Sequence, residues 1–346
     1  EIGYTSQRPS EYATNILAAA IVEGYRGPVF IQGDHFQISH SRFTEDPVNE
    51  VQTVKELAKE AMKAGFYNID VDTSTLVDLS QKTVPAQQEV NTKLSAEITH
   101  FIRMHQPEGI TVSVGGEIGE VGGQNSNEKE LRAYIEGFIQ ELAKLDEDSV
   151  GLSKISIQTG TSHGGVVMPD GSIAEVSVDF ETLLLLSKIA REEYQMAGAV
   201  QHGASTLPQE AFGKFVEYQA CEVHLATNFQ NIFYTHAPDK IKAEIYSYLE
   251  ENHANERKAD MTDDQFYYKT RKRGIGAFKK QIWDLPAETK DKISAAWEEQ
   301  FSDLFERLAI KDTKKYTEQI INGPMITPHL NDYLTELGED QIQEDT

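Results

Sequence analysis

The sequence predicts an α/β protein built as a parallel β/α barrel, and three observations carry that expectation. Helix-period and strand-like segments alternate over roughly 240 residues. The strand-like segments are near-continuous apolar runs, as a parallel sheet covered on both faces requires. Polar and glycine-rich sequence follows the strands, and three histidines sit there: His35 in PVFIQGDHF, His163 in ISIQTGTSHGG and His202 in AVQHGAS. These lie far apart in the chain, so only a fold that gathers strand ends could unite them. A parallel barrel does so at the carboxyl ends of its strands. A doubly wound open sheet is the rival; it ranks lower because the rich strand ends are spread over almost all units and not confined to one switch point.

In chain order, EYATNILAAAIVEGY reads as a helix and residues 28–35 as a strand. NEVQTVKELAKEAMKAG is a helix with Gly65 at its C-terminal cap, and 66–72 is a strand. VPAQQEVNTKLSAEITHFIRMHQ is a helix before strand 110–117, and EKELRAYIEGFIQELAKL a helix before strand 153–160. DFETLLLLSKIAREEY precedes strand 198–202, QEAFGKFVEYQ precedes strand 222–227, and PDKIKAEIYSYLEENH closes the series. A closed barrel needs eight strands, so two are missing from this sequence reading. From about residue 251 the chain is strongly charged, helix-patterned and free of strand signals. The expected division is therefore a barrel over 1–250 and a helical C-terminal extension over 251–346.

A formal net charge of −24 argues against nucleic acid as a general partner. No apolar run reaches the length of a membrane span, and no secretory signal is evident, so a cytoplasmic location is expected. The single cysteine, Cys221, excludes an internal disulfide framework and cysteine-based zinc sites.

Neutral imidazoles are common zinc ligands, and three protein ligands with an open fourth position make a catalytic site. Asp34 and His35 are adjacent at a strand end, so one could bind metal while the other acts as acid or base; taken alone, the pair reads first as a helix cap. GTSHGG and QHGAS are two His-Gly turns in successive units, and such turns expose backbone N–H groups that can hold a phosphate. Glu117, at another strand end, could approach the metal, with Gly122 and Gly123 opening a loop that could serve as a lid. Asp72 could orient a ligand histidine or cap the following segment. Thr227 and Asn228 could contact a phosphate or sugar hydroxyls. Residues 269–280, KTRKRGIGAFKK, are basic in an acidic chain, and Arg271 or Arg273 could receive a phosphate. A solvated face paired with nearby acids is the commoner role for such a stretch.

Together the segments PVFIQGDH, GFYNIDVDTSTL, VGGEIGEVGG, IQTGTSHGG and QHGAS resemble the class II, metal-dependent ketose-bisphosphate aldolases, best known as fructose-bisphosphate aldolases. The resemblance implies a TIM (β/α)8 barrel and a catalytic divalent cation, Zn2+ or else Co2+ or Mn2+. It implies His35, His163 and His202 as metal ligands, Asp34 as the catalytic aspartate, and Glu117 and Asp72 as carboxylates near the metal. Gly164, Gly203 and Ser205 match phosphate-binding turns. The implied reaction is reversible cleavage of fructose 1,6-bisphosphate to dihydroxyacetone phosphate and glyceraldehyde 3-phosphate through an enediolate stabilised by the metal. Tagatose 1,6-bisphosphate or another ketose phosphate is the alternative substrate, and a non-catalytic aldolase-like subunit the alternative role. A homodimer or homotetramer is the expected assembly. The chain departs from the family pattern at Asn125, where a loop glutamate is usual, at Thr206, and at His224 and Asn228 in the last strand. The resemblance also implies a first strand–helix unit and a second strand ahead of EIGYTSQRPS, hence a natural protein longer at its N-terminus and a barrel open at one seam here.

Overall fold

The computed structural model describes residues 2–119, 124–161, 168 and 177–321. Six parallel strands form one sheet in sequence order: β1 (Ile31–Gln37), β2 (Phe66–Asp72), β3 (Ser113–Glu117), β4 (Lys154–Ile157), β5 (Ala199–Gln201) and β6 (Glu222–Val223). Each pairs with the next, so every connection is a crossover through helical sequence. The sheet is curled into a half-barrel. Gln32 of β1 donates from Nε2 to Glu222 Oε2 of β6 at 3.0 Å, so the first and last strands meet across the interior.

Helices cover the outer face because their apolar residues recur at helical spacing. Val51, Val54 and Ala58 are buried on the helix Pro47–Lys63, Ile98 and Ile102 on Val84–His105, Leu131, Ile135 and Phe138 on Glu128–Leu145, and Leu183 and Leu186 on Phe180–Glu192. Their starts are written locally. Asp46, Thr83 and Asp179 each accept a first-turn backbone N–H, and Asn127 forms a reciprocal capping box with Glu130. Gly65, expected at a helix end, has φ of +93° directly after the cap residue Ala64.

β2 has the expected bounds, β3, β4 and β5 are shorter than the expected runs, and β1 and β6 differ in further ways. β1 does not stop at His35 but runs on to Gln37. Its register shifts between Gly33 and Phe36, where three steps along β1 match two along β2, and His35 takes φ of +54°. This bulge lets the strand continue while adjacent residues escape strict in-and-out alternation. β6 is only two residues long, and the helix Thr227–His236 begins where 222–227 was expected to be extended. Tertiary packing decides that segment. The Phe229 ring lies 4.6 Å from that of Phe301 on the long helix Ala287–Arg307, whose Trp297 Nε1 donates to the Phe229 carbonyl at 3.0 Å.

A second apolar cluster lies apart from the one under the sheet and is built by helices: Phe233, Tyr234, Ile241, Ile245, Leu249, Phe266, Leu285 and Ile293. Among the described residues no helix is long and apolar enough to cross a membrane.

Two expected outcomes follow from close contacts in this frame. A Cβ on Gly116 would lie 2.5 Å from Tyr134 Oη and 2.7 Å from Leu152 Cδ1. Gly116→Ala should therefore lower stability by about 1–3 kcal/mol, read as a shift in the denaturant midpoint. Glu50, 2% exposed, accepts from Ser39 N at 2.7 Å and from Arg42 Nε at 2.6 Å, tying the chain after β1 to its helix. Burial opposes its ionisation, but the Arg42 and Ser39 hydrogen bonds hold the carboxyl below its ordinary range. Its stabilisation is thus complete above the ordinary glutamate pKa and disappears as pH falls through the lowered one. The stability gap between wild type and Glu50→Gln should close in that acid limb.

Candidate functional site

Residues two apart on a strand share a face, and here the inward face is polar. Gln32 and Asp34, Asp70 and Asp72, Gly115 and Glu117, Lys154 and Ser156, and Glu222 and His224 each show that spacing. The deeper members form one ionic knot. Lys154 Nζ, on a side chain 2% exposed, lies 3.0 Å from Asp70 Oδ1 and 2.7 Å from Glu222 Oε2. Gln32 Nε2 donates to Asp70 Oδ2 at 2.6 Å as well as to Glu222. Gly115, the register partner of both Asp70 and Lys154, makes room for the pair: a Cβ there would sit 2.2 Å from Asp70 Oδ1. Burial raises the Asp70 pKa despite Lys154. At Glu222 burial acts in the same direction, but the His224 hydrogen bond and Lys154 outweigh it and hold the carboxyl at about 2.

The second set stands at the strand ends. His35 Nδ1 lies 3.2 Å from Asp72 Oδ2 and 3.7 Å from Glu117 Oε2, while its Nε2 is 3.7 Å from Asp34 Oδ2. Asp72 is fixed in turn by Ser74, which donates from N at 3.0 Å and Oγ at 2.6 Å, and by Gln37. His202 follows β5 directly, its carbonyl held by Thr161 Oγ1 at 2.8 Å. Its Nδ1 is 3.7 Å from Glu117 Oε2; its Nε2 is 3.6 Å from Asp34 Oδ1 and 2.9 Å from His224 Nδ1. His224 Nδ1 is also 3.2 Å from Asp34 Oδ2, and its Nε2 is 2.8 Å from Glu222 Oε2.

These contacts set the charges. Burial would lower the pKa values of His35 and His224, yet carboxylates raise both to about 9: Asp72, Asp34 and Glu117 around His35, Asp34 and Glu222 around His224. Burial would raise the Asp34 carboxyl, but the His224 hydrogen bond and the charges of His202, His224 and His35 drive it far below the usual carboxylate range. Burial and the charge of Asp72 push Glu117 up to about 8.

His35, Glu117 and His202 offer one ligand atom each within 4.8 Å of one another. Nitrogen and carboxylate donors suit zinc and other divalent first-row ions. The Asp72 carboxylate on His35 supplies the outer partner that orients metal-ligating imidazoles. The donor set therefore fits a divalent cation.

The structure thus brings Asp34, His35, Asp72, Glu117 and His202 together. His163 and Gly164 lie outside the described residues. Gly203 takes φ of +70°, and Ser205 Oγ accepts the Ala226 N–H at 2.9 Å. Four further candidates are engaged elsewhere. Thr227 opens a helix, and Asn228 Nδ2 donates to Gln300 Oε1 at 3.0 Å. The Arg271 guanidinium stacks 4.1 Å from the Tyr268 ring and 4.8 Å from that of Tyr234, and bonds Asn231. Arg273 pairs with Glu256 at 3.1 Å. Sequence reasoning passed over Gln32, Asp70, Lys154, Glu222 and His224 as site members. Their signal is the two-residue spacing of charged residues within otherwise apolar strands, read against the inward face.

A sequence profile described as fructose-bisphosphate aldolase class II matches residues 3–284. The chain belongs to the class II fructose-bisphosphate aldolase family. Among solved structures, it is similar to a probable tagatose 6 phosphate kinase from Sinorhizobium meliloti 1021, with 14% identity, 92% of this chain and 83% of that one covered, and a TM-score of 0.57. It is also similar to a fructuronate–tagaturonate epimerase from Cohnella laeviribosi, with 10% identity, coverage of 84% and 70%, and a TM-score of 0.52. A fructose-bisphosphate aldolase from Campylobacter jejuni aligns with 17% identity, coverage of 86% and 75%, and a TM-score of 0.46. At such identities the first two likenesses concern the fold alone. In this aldolase-family chain the knot beneath the strand ends is the element most open to a stability test. Lys154→Met leaves Asp70 and Glu222 buried without their cation, and should cost about 3–5 kcal/mol in chemical denaturation.

Proposed function

We propose that this protein is a metal-dependent aldolase that reversibly cleaves fructose 1,6-bisphosphate to dihydroxyacetone phosphate and glyceraldehyde 3-phosphate. One observation carries the reading: an ionised carboxylate, Asp34, stands beside a cluster of imidazoles and a carboxylate suited to a divalent cation. Six curled parallel strands in sequence order also fit six of the eight strands of a TIM barrel. When bound by His35, His163 and His202, with Glu117 alongside, zinc, cobalt or manganese would supply Lewis-acid polarisation of the ketose carbonyl.

The chain's own groups account for the remaining chemistry. Asp34, held ionised by its histidine neighbours, accepts the proton of the C4 hydroxyl. As the C4 oxygen forms its carbonyl, the C3–C4 bond breaks and its electron pair passes into the ketose fragment as an enediolate. Protonation of that fragment at C3 gives dihydroxyacetone phosphate. The backbone N–H groups at Gly203–Ser205, and the Gly164 segment that matches the family's phosphate-binding sequence, would receive the substrate phosphates. Asn125 stands where family members carry a loop glutamate, and its Nδ2 donates to Asp179 Oδ2 at 2.9 Å. An amide so engaged does not shuttle protons, which is the observation favouring a second reading, a non-catalytic aldolase-like subunit.

The deciding experiment measures triose-phosphate release from fructose 1,6-bisphosphate by metal-loaded protein, before and after chelation. Release should stop on chelation and return with Zn2+, and Asp34→Asn should lower kcat by about 100-fold or more while metal stays bound. Bound metal with no release from the fructose ester, but release from tagatose 1,6-bisphosphate, would reassign the substrate. Release from neither would favour the non-catalytic role.

A further inference from the structure

The helix Ala287–Arg307 begins beyond residue 284, where the family match ends, yet it reaches the segments that carry the site. Ile293, Trp297, Gln300 and Leu304 recur at spacings of four, three and four, so they share one face of it. Ile293 is buried in the helical cluster and Leu304 in the cluster under the sheet. Gln300, half-buried between them, is the one amide in that stripe.

Its side-chain oxygen takes two donors. Gln209 Nε2 and Asn228 Nδ2 each donate to Gln300 Oε1 at 3.0 Å. Gln209 lies four residues past Ser205, on the chain after β5, and Asn228 two residues past Ala226, on the chain after β6. Ser205 Oγ accepts the Ala226 N–H at 2.9 Å, so these contacts close a ring from the Gly203–Ser205 turn through the β6 segment and Gln300 back to the turn. A hydroxyl that accepts in this way keeps its own proton to donate. Gln209 Oε1 is buried without a hydrogen bond among the described residues, so its amide is held from the Nε2 side. The ladder alone does not set these positions. Two residue pairs join β6 to β5, and β6 is the last strand in the order, with no second ladder among the described residues.

We propose that Gln300 is a positioning residue for phosphate binding: by accepting from Gln209 and Asn228 together, it holds the Gly203–Ser205 turn in the arrangement that receives a substrate phosphate. This rests on the reading of that turn as a phosphate site. Gln300 itself touches no substrate. Without the shared acceptor the segments after β5 and β6 lose their common tie, and the turn spends only part of its time with its N–H groups convergent. Apparent affinity falls by that fraction.

The test titrates fructose 1,6-bisphosphate, and separately inorganic phosphate, into the full, chelator-treated chain by calorimetry, where no cleavage intrudes. Gln300→Leu should weaken both ligands about tenfold, as for a competent turn populated about one-tenth of the time. Gln300→Glu keeps an acceptor oxygen for both donors and should bind within about twofold of wild type. In the metal-loaded chain Gln300→Leu should raise KM about tenfold and leave kcat within about twofold, the pattern of lost uniform binding. A lowered denaturation midpoint in Gln300→Leu with unchanged affinity of the folded chain shows a structural role only and overturns the proposal. Equal loss in the Leu and Glu variants overturns the shared acceptor. Wild type that binds neither ligand overturns the phosphate reading of the turn and the proposal with it. Wild type that binds the ester but does not cleave it when metal-loaded overturns the aldolase reading alone, and the affinities still decide for Gln300. If Gln300→Leu does not fold by circular dichroism, Gln209→Leu decides, since it removes one of the two donors: affinity equal to wild type refutes the role.

Discussion

The ammonium group of Lys154 is the constraint on which the rest of this interior depends. It is buried between Asp70 of β2 and Glu222 of β6, two strands on either side of its own. A charge placed there is tolerable only while both partners stay within contact distance. That requirement fixes how far β2, β4 and β6 can separate, and it demands the missing side chain at Gly115. It also fixes Glu222, whose Oε2 meets His224 as well as Lys154 and so reaches the strand-end cluster.

The order of support therefore runs from the middle of the sheet outward. A salt bridge holds a carboxylate, the carboxylate holds an imidazole, and the imidazole stands against Asp34. On the other side Ser74 and Gln37 hold Asp72, which holds His35. Asp34 lies where the two supports converge. The bulge in β1 is what permits this, because regular alternation would send Asp34 and His35 to opposite faces.

Much of this was legible beforehand where local chemistry decides. Helix starts at Asp46, Thr83, Asn127 and Asp179 are written in capping residues, five of the six strands lie within the runs that apolar patterning marks, and the sixth, β1, overruns its run by two residues. Asp34, His35, Asp72, Glu117 and His202 were recognisable because polar residues at strand ends have few reasons to be there. Other features depend on distant partners and leave no local trace. The helix at Thr227 exists because Phe229 packs on Phe301 and Trp297. The inward direction of Lys154 and Glu222 is set by the phase of their strands, which an apolar run conceals. Arg271 is basic in a basic segment; Tyr268 stands three residues upstream, but nothing nearby in sequence announces Tyr234, the more distant ring it meets.

The contact between Gln32 and Glu222 joins residues 190 apart in the chain, whereas each strand's ladder joins it only to its neighbour in sequence. Strands can thus accrete one unit at a time, while the polar interior comes into being only when the two ends of the sheet swing together. Loop closure over such a span carries its entropic cost before any contact repays it. Loop-closure entropy alone therefore predicts that the site forms late in folding. Whatever cation settles there acts as a clasp on the curl of the sheet, favouring the curled state over any opened one by mass action.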